Sequence, residues 1–166
     1  MFTRVQDFLN EWKTETGFTK AILKALTDQS LAQAINTDHR TIGRIAWHIV
    51  TTIPEMMSNT GLKLDFDEKA PVPPTAAEIL AGYEKCADAL AEQVKSNWDD
   101  NAMMTEDNLY GEQWARGKTL LILIKHEIHH RGQLTVLMRQ AGVVVPSMYG
   151  PAKEGWAAYG AEPPVI

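Results

Sequence analysis

The chain has 166 residues, a formal net charge of -5 and a sequence pI of about 5.5. This length allows one domain with a full hydrophobic core and is too short for two, so we predict a single domain over residues 1–166. Acidic and basic residues are interspersed and form no basic stripe that would neutralise phosphates, which argues against nucleic acid as a partner.

The location that we expect is cytoplasmic, with no membrane association. Cys86 is the only cysteine, which excludes an internal disulfide framework and is typical of a reducing compartment. The first residues lack the apolar run and cleavage site of a signal peptide, and no stretch approaches the ~20 apolar residues of a membrane span.

Four segments carry apolar residues at helical spacing, and none shows a convincing strand-like alternation. Thr41 and Thr75 are suitable N-terminal caps, and Glu78 completes a capping-box pattern with Thr75. Gly142 stands where a helix C-terminus favours glycine. The predicted helices cover approximately residues 5–26, 41–57, 75–94 and 119–141.

The segments between these helices are rich in polar residues and turn formers. We predict a connector with one helical turn over residues 28–40, a long crossover over 58–74 and a polar connector over 97–117. Residues 142–166 are predicted to form a largely irregular tail with at most one short helical piece, packed on the bundle by Tyr149, Trp156 and Tyr159. The predicted fold is therefore an all-α four-helix bundle with a long crossover between its second and third helices.

Three of the five histidines lie within the segment Lys125-His-Glu-Ile-His-His-Arg-Gly-Gln133. His126 and His130 are four residues apart, so they share one face of the fourth helix and can bind one metal ion. His48, on the flank of the second helix's apolar stripe, is the best candidate for a third ligand. Three neutral imidazoles leave positions open for water or substrate, which is typical of a catalytic zinc, nickel or iron site.

Two side chains near these histidines are weak candidates for supporting or acid–base roles. Glu55 follows His48 by seven residues on nearly the same line of the helix, and Gln133 lies one turn beyond His130. His129 lies off the ligand face and is interpreted as a supporting or surface residue. We expect Arg131 to form a salt bridge or a cap rather than to take part in catalysis, and Gly132 to mark a close helix contact.

Other interpretations of the histidines stay open. The segment from His126 to His130 also matches the His-Glu-x-x-His signature of metalloproteases, with Glu127 as the general base. No histidine follows His130 as a third ligand, and Glu127 points about 100 degrees away from His126 on the helix. Histidines at this spacing also arise by chance as core or surface residues.

The fourth helix has two apolar faces. One includes Leu123 and Leu134 beside the histidines; the other carries Leu121, Ile124 and Ile128. Because two apolar faces require two burial surfaces, we predict a homodimer. The alternative is that this helix is the most buried one of a monomer.

Three motifs resemble the DinB family of proteins, also described as DinB/YfiT-like metalloenzymes. They are Ile45-Ala-Trp-His-Ile49, His126-Glu-Ile-His-His-Arg-Gly-Gln133 and Pro146-Ser-Met-Tyr-Gly-Pro151, and the resemblance spans nearly the whole chain. It implies a four-helix bundle with a long crossover, often dimeric, in which His48, His126 and His130 hold the metal. The position of Glu127 is not a required carboxylate in this family.

The reaction is less well defined by the resemblance. Relatives include metal-dependent transferases that use low-molecular-weight thiols such as bacillithiol or mycothiol, a thiol-dependent maleylpyruvate isomerase, and proteins described as hydrolases. We therefore expect a thiol S-transferase-like enzyme of stress or detoxification chemistry that acts on a small molecule. The alternatives are a metal-dependent hydrolase and a non-catalytic metal- or ligand-binding bundle.

Overall fold

The computed structural model describes residues 1–165 and consists mainly of four long helices. Ile166, the last residue of the predicted domain, lies outside the described residues. Three short 3-10 segments accompany the helices, at Asp28–Ala32, Ala102–Met104 and Lys153–Tyr159. The predicted helical class is confirmed. The helices are α1 (Val5–Ala25), α2 (Ile42–Ser58), α3 (Ala76–Asn97) and α4 (Arg116–Gln140).

Each helix packs mainly on two others. α1 and α2 both contact α3 and α4, so the helices follow one another around a common core in the order α1, α3, α2, α4. Apolar side chains from all four helices fill this core with little or no exposure to solvent. Representative members are Phe8, Ile22, Ile49, Ile53, Ile79, Leu90, Leu123 and Leu134.

The predicted starts of α2 and α3 are confirmed by their caps. The Thr41 hydroxyl accepts a hydrogen bond from the Arg44 amide at 3.2 Å, and Thr75 accepts one from the Glu78 amide at 3.2 Å. The crossover after α2 is tied back to that helix, because the Trp47 indole donates to the Ala70 carbonyl at 2.8 Å. This bond holds the turn of α2 that carries His48.

A β-hairpin interrupts the segment that we predicted as a polar connector, so that prediction is wrong. Strand β1 (Glu106–Leu109) pairs antiparallel with β2 (Glu112–Ala115). The two loop residues, Tyr110 and Gly111, have φ values of 56° and 86°, as a type I′ turn requires. Four-residue strands are too short to show alternation, and Tyr-Gly lacks the asparagine or aspartate that usually signals this turn.

The C-terminal tail contains one short helical segment, as predicted, at Lys153–Tyr159. Gly142 has a φ of 72° and ends α4 in the left-handed conformation. Tyr149 packs its ring against Phe18 of α1, with centroids 5.0 Å apart. Trp156 is half-buried, and Tyr149 and Tyr159 are both exposed, so among residues 1–165 the Tyr149–Phe18 pair is the aromatic ring contact between the tail and the bundle.

The outer face of α4 offers less exposed apolar surface for a dimer contact than the sequence indicated. Ile124 is buried within the chain's own core and Leu121 is half-buried, which leaves Ile128 as the exposed member of that face. Gly132 is exposed, and within residues 1–165 a Cβ added there would meet nothing within 4 Å beyond its chain neighbours and the adjacent backbone of α4. The prediction that Gly132 marks a close helix contact is therefore wrong for the described chain. Among residues 1–165 there is also no helix long and apolar enough to cross a membrane.

Candidate metal centre

Three histidines predicted as ligands converge between α2 and α4. The Nε2 atom of His126 lies 3.1 Å from Nε2 of His48 and 3.1 Å from Nε2 of His130. One possible ligand atom from each of the three lies within 4.8 Å of the others. Metal–nitrogen bonds of about 2.0–2.1 Å separate two ligands by roughly 3.0 Å at right angles and roughly 3.4 Å at tetrahedral angles. The two separations from His126 therefore suit ligands of one divalent ion.

The second ring nitrogen of two of these histidines has a hydrogen-bond partner that defines the tautomer. The Gln133 Oε1 atom lies 2.7 Å from Nδ1 of His130 and can only accept, so Nδ1 carries the proton and Nε2 keeps its lone pair. Thr52 donates its proton to the His48 carbonyl at 2.7 Å, so its oxygen is left to accept from Nδ1 of His48 at 3.4 Å. The buried Nδ1 of His126 has no partner within residues 1–165.

Burial keeps these imidazoles uncharged. Desolvation is the largest cause that lowers the pKa of His48 and of His126, each to about 4, and it also lowers the pKa of His130. The neighbouring imidazoles and the Arg40 guanidinium add to the shift of the first two. At neutral pH, a metal ion would therefore meet three unprotonated ligands and would displace no proton from them.

A cavity of about 480 Å³ opens beside His130 and Gln133. Part of its wall is the connector between α1 and α2, and the rest is formed by α2 and α4. The cavity is large enough for a small organic molecule. It is lined by Ile35, Asp38, His39, Arg40, Ile45, His130, Gln133, Val136 and Leu137.

Of the residues predicted to support the histidines, Gln133 contacts a ligand and Glu55 does not. Both carboxylate oxygens of Glu55 accept from the Tyr110 hydroxyl, at 3.1 and 3.0 Å, and none of its hydrogen bonds within residues 1–165 reaches a histidine. Gln133 contacts His130, as its position predicted. His129 is exposed, with its Nε2 atom 3.1 Å from Nε2 of Gln133.

Glu127 and Arg131 point away from the histidines into the core, and both are almost completely buried. The Glu127 carboxylate accepts from Thr19 and from Tyr83, each at 2.9 Å. Its burial raises its pKa to about 7. Because Glu127 has no access to solvent, this placement argues against a role as the general base of a protease.

Arg131 forms the predicted salt bridge, and its partner is Glu15 of α1. Its guanidinium also donates to the Thr19 hydroxyl at 2.8 Å and to the Tyr149 hydroxyl, which in turn donates to Glu15 at 2.6 Å. Sequence reasoning missed this buried polar cluster. A signal was present: Glu15 and Thr19 occupy positions of the apolar stripe of α1 between Trp12 and Ile22.

Fold and site together define a helical protein with three histidines, positioned to bind a metal ion, between two of its helices. The chain belongs to the DinB family, whose family model matches residues 1–164. It is 44% identical over 165 residues to the uncharacterised protein YrdA of Bacillus subtilis (strain 168), an alignment that covers 99% of each chain.

Solved structures agree with this assignment. A DinB-like protein from Bacillus cereus ATCC 10987 is 45% identical and superposes with a TM-score of 0.87, covering 90% of this chain and 100% of that one. The DinB-like protein YjoA from Bacillus subtilis superposes with a TM-score of 0.69 at 12% identity, covering 87% of this chain and 99% of that one. At this low identity, the second match shows the shared fold alone.

Proposed function

We propose that the protein is a metal-dependent enzyme in which His48, His126 and His130 hold one zinc, nickel or iron ion. The observation that carries this proposal is the convergence of the three Nε2 atoms, with pairs 3.1 Å apart, in a neutral and partly buried cluster. When bound, such an ion would lower the pKa of a coordinated thiol or water and so supply a nucleophile at neutral pH.

The protein's own residues have separate roles in this proposal. Gln133 and Thr52 hold the rings of His130 and His48 in the tautomer that directs Nε2 toward the ion. The adjoining cavity binds a small molecule next to His130. Thiol S-transfer to an electrophile, as part of stress or detoxification chemistry, is the reaction that family membership favours, and hydrolysis is the second candidate.

Elemental analysis of tag-free protein purified without chelator tests the metal site. Wild type should contain about one equivalent of zinc, nickel or iron, and His48→Ala and His130→Ala should each contain much less. Glu127→Gln is the matched control, because it alters the same turn of α4 on its core side and should keep full metal content. Wild type that also refuses added zinc and nickel would contradict the proposal.

Turnover assays distinguish an enzyme from a non-catalytic metal protein. Loaded wild type should transfer a low-molecular-weight thiol to an electrophilic dye or hydrolyse an ester, and His130→Ala should lose this rate. A large fall in melting temperature on chelation, without turnover of any thiol or ester, would instead favour a structural role for the ion.

A homodimer is proposed for the active protein. The exposed side chain of Ile128 on the outer face of α4 supports this assembly, although Ile124 of the same face is already buried in the chain's own core. Sedimentation equilibrium should give twice the 18.5 kDa chain mass. A monomer at micromolar concentration would contradict the proposal.

A further inference from the structure

The wall of the cavity beside His130 includes a cation, Arg40, whose side chain has no partner among residues 1–165. Arg40 lies in the connector just before α2, is exposed, and makes no hydrogen bond or ion pair with any side chain of residues 1–165. It lines the same cavity as His130, as does Asp38. An unpaired guanidinium on the wall of a small-molecule cavity offers up to five donors in a planar fork that matches a carboxylate.

Arg40 is the one arginine or lysine among the residues that line this cavity, and Asp38 is the one carboxylate. Desolvation is the largest cause of the lowered pKa of His48, His126 and His130, the neighbouring imidazoles come next, and the Arg40 charge adds to all three shifts. Arg44 acts on His48 alone and lines a different pocket with Trp47 and Thr51. Arg40 is therefore the cation that lines the cavity together with His130.

The remaining wall of the cavity is mostly apolar. Ile45, Val136 and Leu137 lie between α2 and α4, and Ile35 projects from the connector with two-thirds of its surface exposed. Such a wall suits the hydrocarbon part of a ligand, because burying apolar surface on both partners is favourable. The cavity thus combines an apolar wall, a metal centre at one side and a free guanidinium at another.

We propose that Arg40 determines specificity by binding the carboxylate of a small, partly apolar ligand whose opposite end reaches the metal. This inference rests on the proposed metal site and adds the chemical class of its ligand. Arg40 forms no bond to the reacting atoms and instead selects and orients the molecule that carries them. An uncharged ligand of equal size lacks this second point of attachment.

The test compares ligands that differ only in charge, on the cobalt-loaded full chain. The probes are 3-mercaptopropionate and 6-mercaptohexanoate, each paired with its neutral amide, and the readout is the cobalt–thiolate absorption during titration. Wild type should bind at least one carboxylate about tenfold more tightly than its amide, or ~1.4 kcal/mol. Arg40→Gln should reduce this preference to less than about twofold and leave binding of the amide unchanged.

Arg44→Gln is the matched control, since it removes an equal charge near His48 but outside the cavity, and it should keep the tenfold preference. Three results would overturn the inference alone: equal binding of acid and amide by wild type at both lengths, a preference that survives Arg40→Gln, or an equal loss in Arg44→Gln. Wild type that binds no cobalt would overturn both the inference and the proposed metal site, so the two failures are distinguishable.

Discussion

Gln133 orients the ring of His130 through a hydrogen bond and does not itself have to contact the ion. Its Oε1 atom lies 2.7 Å from Nδ1 of His130. Removing this acceptor with Gln133→Leu should weaken zinc affinity by roughly ten- to a hundredfold, because the ring loses its fixed tautomer and orientation. Competition with a chelating dye measures the change.

His129→Ala is the control for this experiment. His129 is exposed and its ring also contacts Gln133, but on the amide nitrogen side. This variant should keep zinc affinity within about threefold of wild type, since the acceptor of His130 is retained. Equal affinities of Gln133→Leu and wild type would show that the hydrogen bond does not support the ligand.

Protonation of the histidines links pH to the stability of the metal-free protein. The folded-state pKa of His48 and of His126 is about 4, below the ordinary value of 6.5, so the unfolded chain binds protons more readily. The stability that these neutral rings allow is fully present above about pH 6.5 and is lost as the pH falls toward 4.

Urea unfolding of chelator-treated protein between pH 7 and pH 4.5 measures this loss. Many carboxylates also titrate in this range, so the informative quantity is the difference between wild type and His48→Asn. The free energy of unfolding of the variant should fall less with pH, because the variant lacks the His48 imidazole, whose protonation the folded state opposes. Parallel curves for the two proteins would contradict the assignment.

At the scale of the element, α4 contains two glycines in opposite surroundings. The Phe2 amide donates to the Gly117 carbonyl at 3.1 Å, and a Cβ at Gly117 would overlap the Phe2 carbonyl oxygen. Gly117→Ala should therefore destabilise the protein by about 1–3 kcal/mol through forced backbone movement. Gly132→Ala faces open space and should stabilise the helix by up to ~1 kcal/mol. Denaturant unfolding of both variants compares them directly, and destabilisation by Gly132→Ala would reveal a contact outside this chain.

The helices were predictable because their signals are local. Apolar spacing defined all four, and Thr41 and Thr75 placed two of their starts. The start of α4 at Arg116 was not predicted, since Ala115 offers no side-chain cap and the first turn bonds to Thr105 and Phe2, which are distant in the sequence. The hairpin was missed for a related reason: Tyr110 adopts a positive φ that its side chain does not favour, so the turn has no clear local signature.

The candidate metal site was also predictable where its signals are local, and not where they depend on distant segments. The spacing of His126 and His130 fixes their common face, so one helix supplies two ligands, and a bundle can bring a third from a facing helix. The sequence could not assign a hydrogen-bond partner to Glu55, because Tyr110 reaches it from the unpredicted hairpin. Nor could it place Arg40 in the cavity wall, since a connector's path depends on the packing of the elements that it joins.

At the scale of the whole molecule, Tyr149 fastens the C-terminal tail to the bundle. Its hydroxyl contacts both Glu15 and Arg131, two charged side chains that are otherwise almost fully buried. Tyr149→Phe should reduce the free energy of unfolding by about 1–2 kcal/mol, because a buried ion pair loses one hydrogen-bond partner. Both tyrosines are largely exposed, but the Tyr159 hydroxyl makes no hydrogen bond with residues 1–165, so Tyr159→Phe should change it by less than ~0.5 kcal/mol. Urea denaturation compares the two, and equal effects would mean that the hydroxyl of Tyr149 contributes nothing specific.

One turn of α4 carries His126 and His130 on one side and Glu127 and Arg131 on its core side. Nη1 of Arg131 lies 3.8 Å from Oε2 of Glu127. Any ion held by His126 and His130 is thereby joined to a segment that cannot open without breaking the hydrogen bonds and ion pairs of two buried ionisable side chains. Departure of the ion should therefore be slow, with a residence time set by local unfolding of α4 rather than by ligand exchange alone. Weakening the core side, for example with Glu15→Gln, should shorten that residence time even though Glu15 lies in another helix and binds no metal.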